Sequence, residues 1–347
     1  IIQFKIEGEY IKRHPEYKMQ DRLLLEKIDY KKGTVNIDGK DYILNDKNFP
    51  TIDPKDPYRL TEEEREIMHR LKESFKNSES LQRHINFLYA KGSLYKCFNS
   101  NLLFHGCIPM EQNGDFSKID IYGNTLSGKK YLDYIEGLVN KAYIEKDRYK
   151  KDRNALDIMW YLWCGAESPL FGKSKAATFE RYLLDDIEEN KEVRKEPKNP
   201  YYTLVQQEET CDKIFEEFGL DIKKSHIING HIPVKEKDGE SPIKANGKLL
   251  VIDGGFAKSY RKETGRAGYT LTYNSYGLIL AANEPFDSKM KAIREEQDIK
   301  YDVMVNAKET ERKRVADTDI GKSIQEDIEG LKMLLDAYRS GKIKEIM

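Results

Sequence analysis

Six histidines stand in the 347 residues of the chain, and two of them share a context. His105 closes the apolar run "NLLF" and adjoins Gly106, with Ile108 and Pro109 close behind. His231 follows "HIING" and precedes Ile232 and Pro233. An apolar run that stops at a His beside a Gly reads as a strand whose end turns sharply, so that the ring can point into a cleft. Neutral imidazole is the commonest metal ligand. The pair therefore reads in two ways, as ligands of one cation or as two hydrogen-bonded core histidines, and the residues alone leave both open. His226 lies four residues before His231, on a different level of the same strand, where a supporting or purely structural part suits it better than ligation. His69 and His84 fall in charged helical sequence and read as partly solvated.

Two glycine patterns look like phosphate cradles and are not read as such. "GNTLSGKK" (123–130) spells the start of a P-loop, but Lys130 stands where the magnesium-binding Ser or Thr belongs, and no buried strand precedes it. A surface turn entering a helix fits better. "TGRAG" (264–268) offers only two glycines. Trp160, Trp163 and Phe171 have helical spacing and read as core packing rather than sugar stacking.

The elements that must position these residues alternate in type. Residues 3–30 carry helical periodicity. "GTVNIDGKDYILND" (33–46) alternates around Asp-Gly, a hairpin signal. "NFPTIDPKDPYRL" is proline-rich and irregular. Thr61 and Glu64 form a capping box at the head of a helical stretch with a break near Asn77. A short strand, "NLLFHGCIP", follows, then mostly helical sequence over 128–192. "TCDKIFEEFGLDIKKS" is a helix with Gly219 at its C-cap. "HIINGHIPV" and "GKLLVIDGGF" read as strands, "GYTLTYNSYGLILAANEPF" as a hairpin turning at Asn274–Gly277, and the sequence from 287 as a charged helical tail. The order predicts a mixed α/β fold with functional loops at strand ends.

Composition narrows the classes. Hydrophobic residues make up 39%, enough for a sizeable core, and charged residues 34%. Lys plus Arg (59) balances Asp plus Glu (60), which gives no electrostatic case for nucleic acid or an acidic membrane. No apolar stretch approaches a membrane span, and no signal peptide opens the chain. Cys97, Cys107, Cys164 and Cys211 lack CxxC spacing and suggest reduced thiols in a cytoplasmic protein.

A wider likeness favours the ligand reading of the two histidines. "NSESLQRHINFLYAKGSLY", "NLLFHGCIP", "MWYLWCGAESPLFGKSKAATFERYLL", "NGHIPVK" and "SPIKANGKLLVIDGGFAKSYRKETGRAGYTLTYNS" together resemble the C-terminal half of the class 3 fructose-1,6-bisphosphatases of Firmicutes. Those enzymes look like members of the calcineurin-like metallophosphoesterase superfamily, a β-sandwich flanked by helices with two divalent metals at strand ends. The resemblance implies hydrolysis of fructose 1,6-bisphosphate to fructose 6-phosphate in gluconeogenesis, with manganese as the first choice of metal and magnesium the second. It makes His105 and His231 ligands of one metal. The superfamily's earlier motifs, Asp-x-His, Gly-Asp-x-x-Asp and Gly-Asn-His, have no match here, so the other ligands and the catalytic groups are expected upstream of Ile1. The absent Met at the start agrees with a C-terminal half that is inactive alone.

The resemblance also implies roles for charged residues. Asp253 is a candidate acceptor for a ligand ring N–H, with a plain turn before Gly254 as the equal alternative. Lys244, Lys258, Arg261 and Arg266 are candidates for gripping the phosphate that stays on the sugar. The expected layout is an N-terminal segment (1–60), the metallophosphoesterase half (61–286, with a helical insert at about 110–225) and the tail (287–347). Expected partners are the sugar bisphosphate and the missing N-terminal half; a homo-oligomer is left open. Action on another phosphoester, or a non-catalytic regulatory or assembly role, are the competing readings.

Overall fold

The computed structural model describes residues 1–145, 152–253, 264–265, 268–283, 288–296, 301–308 and 312–343. In chain order the helices begin with α1 (Ile2–Arg13), α2 (Glu62–Lys76), α3 (Glu79–Lys91), α4 (Gly128–Ile144) and α5 (Arg153–Cys164). Then come α6 (Thr178–Leu183), α7 (Tyr201–Leu204) and α8 (Glu208–Glu217). The strands are β1 (Ile28–Asp29), β2 (Thr34–Ile37), β3 (Lys40–Ile43), β4 (Tyr95–Phe98), β5 (Asn101–Phe104), β6 (Ile119–Ile121) and β7 (Asn124–Leu126). They continue with β8 (His226–Asn229), β9 (Ile243–Lys244), β10 (Leu249–Val251), β11 (Gly268–Asn274), β12 (Gly277–Asn283) and β13 (Tyr301–Lys308). Two further helices, Lys289–Glu295 and Asp319–Arg339, flank β13. The chain divides into two units, one of Ile1–Leu94 with His105–Leu204, the other of Tyr95–Phe104 with Val205–Met347.

In the first unit, α1 stops at His14 because Pro15 has no N–H for the next turn, and 3₁₀ turns replace the helix expected to reach residue 30. β1, β2 and β3 form an antiparallel meander. Its tight turn puts Asp38 and Gly39 at φ of 51° and 82°, as the Asp-Gly pair predicts. The capping box holds: Glu64 N–H donates to Thr61 Oγ1 (3.2 Å) and Thr61 N–H to Glu64 Oε2 (2.8 Å). The helical stretch breaks at Asn77, and Ser78 caps α3. β7 passes into α4 through Ser127, and Lys129 pairs with Asp133 at 2.7 Å, so "GNTLSGKK" is a helix entry and not a P-loop. Leu24, Val35, Tyr131, Ile135, Ile158 and Tyr161 lie in the core.

Two charge pairs and one histidine–carboxylate contact are buried in that unit. Lys5 Nζ meets Glu64 Oε2 at 2.8 Å, Arg22 grips both oxygens of Glu180 at 2.7 Å, and His14 Nε2 meets Asp157 Oδ2 at 2.8 Å. Trp160 stacks on Tyr10 with ring centroids 4.9 Å apart, a packing role. Trp163, also expected in the core, is exposed.

The second unit is built on a five-stranded sheet of order β4-β5-β8-β10-β9. β5, β8 and β10 are parallel, and the outer two are antiparallel to their neighbours. The central strands read as short continuous apolar runs, Ile227-Ile228 and Leu249-Leu250-Val251, and are buried accordingly. α8 ends in a left-handed Gly219 (φ 68°), and Leu220 N–H reaches back to Phe215 O at 2.8 Å. β11 and β12 form the expected hairpin, with Asn274 opposite Gly277. β13 adds a third antiparallel strand to it, in a stretch expected to be helical. A mixed α/β architecture results.

Candidate strand-end site

The parallel strands set the geometry. β5 and β8 pair with Leu103 opposite Ile228, and β8 and β10 with Asn229 opposite Val251. The three strands therefore finish at one edge of the sheet. His105 is the residue after β5, His231 the second after β8 and Asp253 the second after β10. Loops at the carboxyl ends of parallel strands are the customary place for ligands in α/β sheets.

His231 sits in a strained turn. Its φ is +66°, and Ile232 N–H donates to Gly230 O at 2.8 Å across it, closing a three-residue turn. A non-glycine residue there costs about 1–2 kcal/mol, and such strain collects at functional sites. The loop is fastened to the continuation of β10: Ile252 N–H donates to Asn229 O (2.9 Å) and Val234 N–H to Asp253 O (2.8 Å). The backbone thus fixes where the half-buried His231 begins.

The chain beyond His105 is held differently, by a close backbone contact in the first unit. A Cβ on Gly106 would come within 2.3 Å of Pro169 O, so only glycine fits. Cys107 N–H donates to the same oxygen at 2.9 Å. The loop carrying Pro169 is over-determined. Ser168 Oγ donates to Leu162 O (2.6 Å) and accepts from Leu170 and Phe171 N–H (both 3.2 Å). Two buried tyrosines clamp Glu167: Tyr131 OH donates to its carbonyl (3.2 Å), and its N–H donates to Tyr161 OH (3.1 Å). His105 itself is exposed.

Glu167 is a residue that sequence patterning did not single out. Its Oε2 is buried without a hydrogen-bond partner. Burial, and then the charge of Glu111, raise its carboxyl above the usual range. Only "GAESPLFG", a Ser-Pro bracketed by glycines, hinted at a constrained loop. Burial pushes the Cys107 thiol far above the usual range, which disfavours the thiolate.

The remaining candidates divide. His226 opens β8 opposite Asn101, at the far end of the strand from His231. Lys244 pairs with Leu249 at the beginning of β10, and its ammonium forms an ion pair with Glu240. Lys258, Arg261 and Arg266 lie outside the described residues. His105 and His231 belong to different units. Among the described residues no group of three or more His, Cys, Asp or Glu is arranged to hold a metal ion. No helix among them is long and apolar enough to cross a membrane.

Comparison with known proteins now bears on these features. The family pattern described as Firmicute fructose-1,6-bisphosphatase matches residues 1–340. A protein of Clostridium tetani (strain Massachusetts / E88) named fructose-1,6-bisphosphatase class 3 is 57% identical over 345 residues, covering 99% of this chain and 52% of the relative. One of Alkaliphilus metalliredigens (strain QYMF), with the same name, is 58% identical over 347 residues, with 99% and 52% covered. A third, from Clostridium novyi (strain NT), is 56% identical over 345 residues, with 99% and 51% covered. The chain spans about half the length of the curated relatives it matches. No solved structure matches. The chain belongs to the Firmicute fructose-1,6-bisphosphatase family.

Proposed function

We propose that this chain is the C-terminal part of a metal-dependent fructose-1,6-bisphosphatase, with His105 and His231 sharing one divalent cation. Two observations support the pairing of the histidines: family membership, and their positions just beyond adjacent parallel strands that finish at one sheet edge. The hydrogen-bonded three-residue turn centred on His231 at positive φ carries the reading furthest, since that rare, strained turn is the kind that collects at functional sites. The metallophosphoesterase sandwich, a cytoplasmic location and a role in gluconeogenesis belong to the same proposal.

The donors suit a cation in part. Two neutral imidazoles are good nitrogen ligands, whereas manganese and magnesium favour carboxylate oxygens. The oxygen ligands are therefore assigned to the part of the polypeptide that this chain does not span. When bound, a divalent cation polarises the phosphoryl group and lowers the pKa of a coordinated water. His105 and His231 each offer one ring nitrogen and must be neutral at it. The other nitrogen of His231 is proposed to donate to Asp253, whose backbone is tied to the same loop. Water adds to phosphorus, the bond from phosphorus to the sugar oxygen breaks, and that oxygen takes its proton from a group outside this chain. Lys258, Arg261 and Arg266 are proposed to hold the other phosphate. Lys244 is a weaker candidate because Glu240 already neutralises it. His226, at the far end of β8, is assigned to packing.

Steady-state kinetics on the full-length polypeptide, with Mn²⁺ varied, test the roles. His231→Ala should lower kcat about 100-fold or more. Arg266→Ala should chiefly raise KM, and excess Mn²⁺ should not rescue it. The 347-residue chain alone should hydrolyse no fructose 1,6-bisphosphate. Full activity in His231→Ala would overturn the metal assignment, and turnover by this chain alone would mean that the site lies elsewhere.

A further inference from the structure

The Asp319–Arg339 helix is anchored at its first turn and bare beyond it. Asn99 N–H donates to Asp319 Oδ2 (2.7 Å), and Asp319 N–H returns the bond to Asn99 Oδ1 (2.9 Å). Thr318 Oγ1 caps Gly321 N–H at 3.1 Å. A Cβ on Gly321 would come within 1.8 Å of Val315 O, so the helix start is pressed onto the turn before it. After Gly321 no residue of the helix is buried.

That bare length carries a seam. Ile324, Ile328, Leu331, Leu335 and Tyr338 follow one another at spacings of four, three, four and three residues. They are 40–65% exposed. The spacing is that of the a and d positions of a heptad, with Ile328 and Leu335 at a and the other three at d. In proteins most of a helix's stability comes from packing its apolar face rather than from propensity. The seam therefore calls for a partner helix.

The flanking charges specify which. With that register Asp327 is a g residue, and Lys332 and Arg339 are e residues. In a parallel pair each g side chain meets the e side chain five residues on in the other helix, so Asp327 of each copy faces Lys332 of the other. In an antiparallel pair e meets e and g meets g. Asp327 then finds only Ile320, Leu334, Gly341 or itself, and no charge pair forms. The seam is thus complementary to itself in one orientation. We propose that this helix pairs in parallel with the same helix of a second copy of the chain, making the protein a two-fold dimer held at the Ile324–Tyr338 seam. The seam is short, about two heptads, so the dimer should form over micromolar concentrations rather than hold at any dilution.

Sedimentation equilibrium of the full-length polypeptide across that range tests it. A monomer–dimer equilibrium is expected, and Leu331→Asp should weaken association at least tenfold with the far-ultraviolet spectrum of the remaining fold kept. Asp327→Lys and Lys332→Asp should each weaken it several-fold, and the double variant should restore it. A chain that stays monomeric throughout overturns the proposal and leaves the seam to the remainder of the longer polypeptide. A dimer indifferent to Leu331→Asp, or charge variants whose effects add instead of cancelling, overturns it as well.

Discussion

The two units handle polar groups in opposite ways. The first buries its polar groups in pairs: Lys5 with Glu64, Arg22 with Glu180, and the His14 ring with the Asp157 carboxylate. Each pair joins segments far apart in sequence, so the charges tie the unit together. The described ion pairs of the second unit lie nearer the surface, as in Lys248 with Asp212, and its strand-end loop closes a three-residue turn at His231. Satisfied charge makes a rigid frame, and that frame carries the loop pressed against Gly106. A strained turn at a strand end has to be over-determined by its neighbours, and β10 supplies the bonds. The contrast separates scaffold from candidate chemistry without reference to any relative.

The largest expected effect tests the scaffold. Arg22→Leu leaves Glu180 buried without its cation and should cost about 3–5 kcal/mol in urea unfolding, while Arg22→Leu with Glu180→Leu should recover most of that loss. A single variant within 1 kcal/mol of wild type would remove the distinction between the units. The strand end should respond in the other direction. His231→Gly should be more stable than His231→Ala by roughly 0.5–1 kcal/mol, because glycine takes φ +66° without penalty and that outweighs its greater chain entropy. Equal urea midpoints for the two would mean that the turn stores no strain.

Two carboxylates of the first unit should give opposite pH dependences. For Glu196, burial works upward but Lys173 (2.7 Å), Ala177 N–H (3.0 Å) and Arg181 prevail and hold its carboxyl below the usual range. The unfolded chain then binds the proton more tightly than the folded one. Its contribution is complete above the unfolded value of about 4.3 and is lost as pH falls through the lower folded value. Glu167 is raised, so the folded chain holds the proton more tightly, and stability declines as pH climbs from about 4.3 through the folded value. Glu196→Gln should flatten the acid limb of stability against pH, and Glu167→Gln the limb above it. The smallest effect belongs to the surface of the second unit, where Lys248→Ala should cost under about 1 kcal/mol because both partners remain partly solvated.

Local rules were legible where one residue decides a conformation. Asp38-Gly39 announced a hairpin, Thr61 and Glu64 a helix start, Gly219 a helix end. β4 escaped because its exposed Lys96 and Cys97 break the apolar pattern, and its pairing with β5 turns on Asn99-Ser100, both left-handed. β13 hid in a charged stretch because an edge strand needs only its pairing to β12. The strand ends before His105 and His231 were visible through their glycine neighbours. Glu167 was not, since its raised proton affinity comes from burial by residues distant in sequence. Lys244 looked available until Glu240, four residues earlier, was seen to neutralise it.

The claim that His105 and His231 serve one cation is tested most directly by calorimetric titration of Mn²⁺ into the full-length polypeptide and its alanine variants. Ligands of one ion act as a unit, so His105→Ala and His231→Ala should each abolish the same binding event, and the double variant should be no worse than either. Losses that add, or a His105→Ala variant that binds Mn²⁺ as wild type does, would place the two histidines at separate sites.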